Sequence, residues 1–218
     1  MTPMSGLILA SIAFVGTHFA MSHPLRDPLV RRLGERGFQG LYSLVALILF
    51  GLMIWFYRAI GDQAPIWSLG QWAWIAGALL MWLAAILFAG SFSGNPAMVA
   101  GKKPVGPPRG ALGITRHPMM WSFAIWAVVH AALSGTTKAL VLDGAIAILA
   151  LLGAAMQDRK KASLHGDNWH EWTARTAFVP FGRGVANPGA VAIVAGTFLF
   201  LLATWLHPAP VAPWLWIG

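Results

Sequence analysis

The stretch GITRHPMMWSFAIWAVVHAAL, residues 113–133, has the apolar length of a membrane helix and yet carries two histidines. A bilayer core about 30 Å thick is crossed by roughly 20 apolar residues in a helix. His117 lies at the start of the stretch, in an Arg-His-Pro triplet, and His130 lies near its far end. An ionisable side chain at membrane depth is costly and needs a partner. The stretch therefore predicts a transmembrane helix with a functional or well-paired histidine.

The composition of the whole chain agrees with a membrane protein. Of the 218 residues, 57% are hydrophobic and 10% are charged, whereas soluble domains carry about 25% charged residues. Six segments are long and apolar enough, or nearly so, to cross a membrane: residues 4–21, 40–60, 67–89, 118–133, 138–156 and 190–207. We therefore predict an all-α polytopic membrane bundle of about six transmembrane helices, folded as one domain over residues 1–218.

The basic residues predict the orientation of these helices. Thirteen of the 15 Lys and Arg residues fall in three loops, at residues 22–39, 90–117 and 157–187. The positive-inside rule puts these loops in the cytoplasm and both termini on the outer side. The net charge of +8 is then a topology signal, and its expected partner is the anionic lipid surface rather than nucleic acid.

Two histidines are the strongest candidates for chemistry. The chain has no cysteine, which excludes disulfides, iron–sulfur clusters and covalent c-type haem. His18 lies inside the first apolar segment and His130 inside the fourth. Each could simply hydrogen-bond a polar group of a neighbouring helix. Two imidazoles on two helices are also the minimum for bis-histidine ligation of a b-type haem, whereas a closed zinc site needs four ligands.

The triplet Arg116-His117-Pro118 predicts an anion pocket at the cytoplasmic mouth of the fourth segment. Proline suits the first helical turn, and the free N–H groups and positive end of a helix attract anions. A haem propionate, a ligand carboxylate or a lipid phosphate would fit equally, and a simple capping role is the alternative. Asn95, in GSFSGNP just inside the cytoplasmic face, could also bound a pocket.

Helix geometry limits how these histidines can share one metal. The first segment runs inward and the fourth runs outward, so straight helices put His18 near the cytoplasmic side and His130 about 20 Å beyond His117. A deeper start of the fourth helix, or a short hairpin that turns at SGTTK, would bring His18 and His130 to one depth. Without either, His18 with His117 is the better pair. We rank His18 with His130 first and His117 as the runner-up ligand.

Five stretches carry a family resemblance: GTHFAMSHPLRDPLVRRLGERGFQGLYSLVA, GSFSGNPA, TRHPMMWSFAIWAVVHA, GAAMQDRKKASLHG and TAFVPFGR. They span nearly the whole chain, which resembles the NnrU family of bacterial membrane proteins. The family's name comes from an association with nitrite and nitric oxide reduction. The resemblance implies a multi-pass protein of the bacterial inner membrane, with nitric oxide or an apolar small molecule as a possible ligand.

The NnrU family is similar in turn to the plant and cyanobacterial 15-cis-zeta-carotene isomerases, which are membrane haem b enzymes. Their first shared helix has a His near its end, followed by a Gly-Glu-Arg; His18 and residues 34–36 match this pattern here. Their Arg-His-Pro is followed thirteen positions later by a His implicated as a haem ligand, and His117 and His130 keep that spacing. An alternative Cys ligand of the isomerases falls on Ala127, so thiolate ligand exchange is absent here.

The Arg-His-Pro triplet and the late WTARTAFVPFG also resemble the isoprenylcysteine carboxyl methyltransferases, where comparable motifs bind S-adenosylmethionine. That family has a Glu-Glu pair where this chain has Asp158 followed by Arg-Lys-Lys. The resemblances together imply a haem b protein, either a redox or isomerase-type enzyme or a non-catalytic sensor or electron-transfer module. A membrane methyltransferase that uses S-adenosylmethionine is the alternative. The sequence leaves the oligomeric state open.

Overall fold

The computed structural model describes residues 1–96 and 106–207 and places most of them in helices. Eight helices are described: α1 (Pro3–Ser22), α2 (Arg26–Ala59), α3 (Gln71–Gly90), α4 (Ala111–Ile114), α5 (Pro118–Ser134), α6 (Thr137–His165), α7 (Asp167–Arg175) and α8 (Ala190–Leu206). By length and composition, α1, α2, α3 and α6 can each cross a membrane, and α5 and α8 are shorter apolar helices. These six helices match the six predicted segments and confirm the all-α membrane class. The orientation stays a prediction.

Two helices run beyond the apolar segments that predicted them. The second helix begins at Arg26 rather than near Gly40, and α6 continues past Met156 to His165. Both extensions are rich in charged residues, so they lack the apolar run by which a membrane helix is recognised. A charged helix end at the membrane surface keeps its side chains in water while its backbone bonds stay within the helix.

A glycine interrupts α2 where its charged part meets its apolar part. Gly34 has φ +70° and ψ 168°, a backbone region that essentially only glycine occupies. The next residue, Glu35, pairs with Arg26 at 2.8 Å between carboxylate and guanidinium. The first part of α2, residues 26–33, is therefore a separate helical piece, joined to the apolar part by a break and an ion pair.

The chain divides into two compact units, which are described separately. The first contains residues 1–68 and 130–149, and the second contains residues 69–129 and the chain from residue 150 onward. One boundary lies between α2 and α3, and the other two fall inside α5 and α6, so each unit contains part of both of these helices. The expectation of a single domain over residues 1–218 stays a prediction.

In the first unit, α1 and α2 form an antiparallel pair. Gly6, near the start of α1, lies against the ring of Phe56 near the end of α2. His18, near the end of α1, has its ring 5.3 Å from the ring of Tyr42. Contacts at these two levels mean that the two helices lie side by side along nearly the whole of α1.

In the same unit, the turn between α5 and α6 is hydrogen-bonded to the segment that follows α2. It consists of Gly135 and Thr136, and the Ile66 N–H donates to the Gly135 carbonyl at 2.7 Å. The Trp67 indole N–H donates to the Ala132 carbonyl at 2.9 Å. The segment that follows α2 therefore packs on the end of α5.

In the second unit, α3 and α8 approach closely at a small residue. A Cβ atom on Gly196 would overlap backbone atoms of Ile86, so this position needs glycine. One turn of α3 earlier, the Trp82 indole N–H donates to the Thr197 hydroxyl at 2.9 Å. Small residues allow membrane helices to pack backbone to backbone, and the Trp82–Thr197 hydrogen bond adds a specific contact between the two helices.

Candidate functional site

A group of charged hydrogen bonds in the second unit joins Arg116 and His117 to Asp158. The Arg116 guanidinium donates to one oxygen of the Asp158 carboxylate, from Nε at 2.8 Å and from Nη2 at 2.6 Å. His117 Nε2 lies 2.8 Å from the other oxygen. The three side chains are 13%, 0% and 18% exposed, so water competes little with these charge-assisted bonds.

The segment after α7 holds this cluster from the other side. The Thr115 hydroxyl donates to the Phe178 carbonyl at 2.6 Å, and the Arg116 N–H donates to the Ala177 carbonyl at 2.8 Å. The Phe178 ring lies 5.4 Å from the His117 ring and 5.3 Å from the Arg116 guanidinium carbon. Both polar side chains are therefore held in one orientation by backbone and aromatic contacts.

Local sequence builds the helix start that carries His117. The Thr115 side-chain oxygen accepts from the His117 N–H at 3.3 Å. Pro118 occupies the first position of α5, where a missing N–H has no cost, and the Trp121 N–H donates to the His117 carbonyl at 3.0 Å. The triplet thus begins α5 in the way the sequence predicted.

The anion beside Arg116 and His117 is the chain's own Asp158 carboxylate. Sequence reasoning expected an external anion there and gave Asp158 no role in a site. The available signal was an isolated acid in the basic run QDRKK. Its partners lie 41 and 42 positions earlier, a separation that no local pattern reveals. A propionate, carboxylate or phosphate ligand at Arg116 stays a prediction.

One ring nitrogen of His117 has no hydrogen-bond partner in the part of the chain that the structure describes. A carboxylate only accepts, so Nε2 carries the proton that bonds Asp158. Nδ1 is buried and has no hydrogen-bond partner in residues 1–96 or 106–207. Metal-bound histidines often bond a carboxylate through their other nitrogen, so Nδ1 could meet a small ligand or an ion. Nδ1 neighbours the ring carbon that carries Cβ, however, and the side chain's own carbon obstructs a planar porphyrin.

His18 is held in the first unit by its own helix and by two aromatic rings. Its Nδ1 lies 2.6 Å from the Phe14 carbonyl oxygen, one turn earlier. A carbonyl only accepts, so Nδ1 carries the proton and Nε2 of the neutral ring keeps a lone pair. The Phe14 ring lies 4.3 Å away and the Tyr42 ring 5.3 Å away. This is the tautomer that offers the unobstructed Nε2 to a metal.

His130 also belongs to the first unit. It is half-buried and lies one turn before Ser134, the last residue of α5. Ser134 interacts through its hydroxyl with Tyr57 near the end of α2 and lies 3.0 Å from the Thr136 hydroxyl. Both histidines of the first-ranked pair thus lie in one unit, and their shared ligation of an iron stays a prediction.

The other candidates are placed as follows. Asn95 is buried in the second unit after α3. Its contact with a cofactor stays a prediction. Asp143 is buried on α6. Lys138, at the start of the same helix, donates to the Gly61 carbonyl and lies over the Tyr57 ring. In the described ranges, no group of three or more His, Asp or Glu side chains is arranged to hold a metal ion.

Comparison with known proteins identifies a family and two relatives. The profile of the family described as NnrU protein matches residues 6–213. A protein of Arabidopsis thaliana named 15-cis-zeta-carotene isomerase, chloroplastic, is 26% identical over 193 residues, or 83% of this chain and 50% of that protein. The protein of the same name from Zea mays is 26% identical over 187 residues, or 80% of this chain and 49% of that protein.

These matches establish the family of the chain, but they do not establish its activity. The chain spans about half the length of the two isomerases, and no solved structure matches it at a significant level. The family match covers nearly the whole chain and confirms the resemblance that the five sequence stretches carried. The chain therefore belongs to the NnrU family.

Proposed function

We propose that this chain is an isomerase-type protein of the bacterial inner membrane that binds haem b through His18. Its substrate is an apolar molecule dissolved in the bilayer, and nitric oxide is a further candidate ligand. Two relatives named for an isomerase of 15-cis-zeta-carotene support the reaction class. A carotene is an apolar polyene, which a protein built of apolar helices can meet directly in the lipid.

The observation that carries this proposal is the state of His18. An imidazole inside an apolar helix is costly and implies a function or a partner. The Phe14 carbonyl occupies Nδ1, so Nε2 is left with a lone pair, and the rings of Phe14 and Tyr42 form an apolar wall. These residues fit a haem, which supplies a redox-active iron and needs only one or two axial ligands from the protein.

The remaining candidate residues keep the order that the sequence predicted. His130 is the first-ranked second ligand, and His117 is the runner-up because Asp158 occupies its Nε2. Arg116 is a candidate partner of a haem propionate only if it exchanges Asp158 for that propionate. Asn95 is a further candidate contact. A haem sensor or an electron-transfer module would use the same residues without turnover.

Absorption spectroscopy of the detergent-purified protein tests the cofactor. We expect a Soret band, and we expect His18→Ala to abolish it while the protein remains folded and monodisperse. His170→Ala is the matched control, because His170 is exposed on α7 and its loss should leave the band unchanged. A colourless protein that takes up no added haemin and binds S-adenosylmethionine would instead establish the methyltransferase alternative.

The reaction class needs a separate assay. The haem-loaded protein is incubated with 15-cis-zeta-carotene in detergent, under reducing and oxidising conditions, and the isomers are separated by chromatography. Conversion that disappears in His18→Ala supports an isomerase. A haem-loaded protein that binds nitric oxide and leaves the carotene unchanged would favour the sensor or electron-transfer function.

A further inference from the structure

The connection between α1 and the apolar part of α2 begins and ends at one surface of the membrane. Both helices are long and apolar enough to cross a bilayer. The first ends at Ser22, and the apolar segment of the second begins near Gly40. The chain between them contains the first part of α2, residues 26–33, and the break at Gly34. Both ends of this short connection are therefore held at the same face of the bilayer.

The break turns the first part of α2 away from the axis of the apolar part. In one straight helix, Arg26 would precede Phe38 by about 18 Å, and its side chain would lean away from Phe38, toward the N-terminus. The Arg26 guanidinium carbon instead lies 5.5 Å from the centroid of the Phe38 ring, and the guanidinium pairs with Glu35 at 2.8 Å. Residues 26–33 therefore lie beside the start of the apolar part and do not extend it into the water.

One side of this helical piece carries a row of leucines. Leu25, Leu29 and Leu33 are spaced four residues apart, so they share one side of the piece. Leu25 and Leu33 are each 47% exposed, so the protein leaves both ends of the row uncovered. A single exposed leucine is ordinary, but a row at the membrane surface can enter the lipid, as the apolar face of an interfacial helix does.

The same piece and the residues that follow it carry surplus positive charge. Arg26 is paired with Glu35. Arg31, Arg32 and Arg36 are exposed, and none of them forms an ion pair in the part of the chain that the structure describes. Guanidinium groups bind phosphate oxygens through pairs of N–H donors. An anionic lipid headgroup therefore complements this charge at the level where the leucines meet the acyl chains.

We propose that residues 25–36 form an interfacial arm that binds anionic phospholipids. The leucine row enters the lipid, and the three arginines without acidic partners bind the headgroup phosphates. The general attraction of the basic loops to the membrane is thereby assigned to one element with both an apolar and a cationic side. By anchoring the chain between α1 and α2, the arm keeps the ends of both helices at the level of the headgroups. The proposal does not involve haem, so it is tested separately from the proposed function.

Fluorescent labels on single introduced cysteines test the depth of the arm. Leu33→Cys and Asp27→Cys place a label on the leucine side and on the opposite side, and both native residues are exposed. In nanodiscs that contain phosphatidylglycerol, we expect a lipid-borne quencher to act on the label at position 33 and aqueous iodide to act on the label at position 27. Equal quenching of both labels by iodide would mean that the arm stands in water, as a surface for a soluble partner would, and overturns the proposal.

A lipid titration tests the preference for anionic headgroups. Fluorescent phosphatidylglycerol or phosphatidylcholine is added to the detergent-purified protein, and binding is followed by energy transfer from tryptophan. We expect tighter binding of phosphatidylglycerol, and we expect Arg31→Gln with Arg32→Gln to weaken it about fivefold for each arginine removed, by less at high salt.

The control is Arg159→Gln with Arg175→Gln, which removes the same charge from exposed residues of α6 and α7. We expect this double variant to bind phosphatidylglycerol as the unmodified protein does. Equal losses in the two double variants would mean that net charge, and not the arm, attracts the lipid. Equal affinities of the unmodified protein for the two lipids would mean that the arm does not recognise an anionic headgroup. Either result overturns the proposal.

Discussion

Asp158 holds His117 by a hydrogen bond of 2.8 Å, although the two residues are 41 positions apart. The same carboxylate accepts two hydrogen bonds from Arg116. Without Asp158, a fully buried imidazole and a largely buried guanidinium would lose their partner away from water. Leaving such groups unpaired is more costly than the bonds themselves are stabilising. The cluster therefore stabilises the second unit whatever ligand the protein binds.

We predict that Asp158→Ala lowers the free energy of unfolding by about 1–3 kcal/mol, the typical cost of leaving a buried polar group unsatisfied. Asp158→Asn should cost less, because its amide oxygen still accepts a hydrogen bond but lacks the charge opposite Arg116. Denaturant titration in detergent, followed by tryptophan fluorescence, measures both changes.

Glu171→Ala is the control for the loss of a carboxylate. Glu171 and Arg175 form an ion pair at 3.4 Å with side chains 69% and 59% exposed, and exposed pairs contribute little to stability. We expect this variant to unfold at the same denaturant concentration as the unmodified protein. Equal midpoints for Glu171→Ala and Asp158→Ala would show that the buried cluster stabilises the protein no more than an exposed ion pair does.

A second prediction concerns the break in α2. Gly34→Ala should destabilise the protein by about 1–3 kcal/mol, because a side chain strains this backbone conformation. Apart from the adjoining backbone, no described atom lies within 4 Å of the added Cβ, so the cost is conformational and not steric. Gly40→Ala is the matched control on the same helix; its Cβ also meets open space, and alanine should gain about 0.5–1 kcal/mol in a helix interior. Melting temperatures in detergent that fall equally for both variants would contradict this account.

Much of the fold could be predicted because its signals are local. The segment predicted at residues 118–133 forms α5 at Pro118–Ser134, since both its apolar run and its initiating proline are contiguous in sequence. The first part of α2 was missed because its charged residues do not form an apolar run. Residues 158–182 were expected as a cytoplasmic helix or elbow against the membrane, and the sequence did not show that their first part continues α6. A helix that lies at the membrane surface, or projects from it, leaves a weaker pattern than one that crosses the lipid.

The site was harder to predict because it depends on contacts between distant residues. Arg116 and His117 were recognised from one triplet, but their partner Asp158 lies on another helix in a run of basic residues. The levels of His18 and His130 were uncertain for the same reason. Hydropathy gives the apolar part of each helix, whereas only contacts such as those of Tyr42 and Tyr57 give the register between helices.

A third prediction tests the close approach of α3 and α8. Gly196→Ala should lower the free energy of unfolding by about 1–3 kcal/mol, as overpacking of a tight interface does, because the new Cβ would overlap the backbone at Ile86. Gly144→Ala, on α6, is the control, since nothing lies within 4 Å of its added Cβ. Thermal unfolding in detergent should lower the midpoint for the first variant only. A Gly196→Ala protein that melts with the control would mean that the two helices do not pack backbone to backbone.

The last prediction concerns the orientation in the membrane. The chain has no native cysteine, so a single introduced cysteine reports one position without background. Asp62 follows α2 and Ser163 lies in the charged end of α6, and both residues are exposed. Because the basic loops are expected in the cytoplasm, Asp62→Cys should react with a membrane-impermeant maleimide in right-side-out vesicles, and Ser163→Cys only in inside-out vesicles. The reverse labelling pattern would invert the topology, and labelling of both positions in one type of vesicle would mean that α3, α5 and α6 do not all cross the membrane.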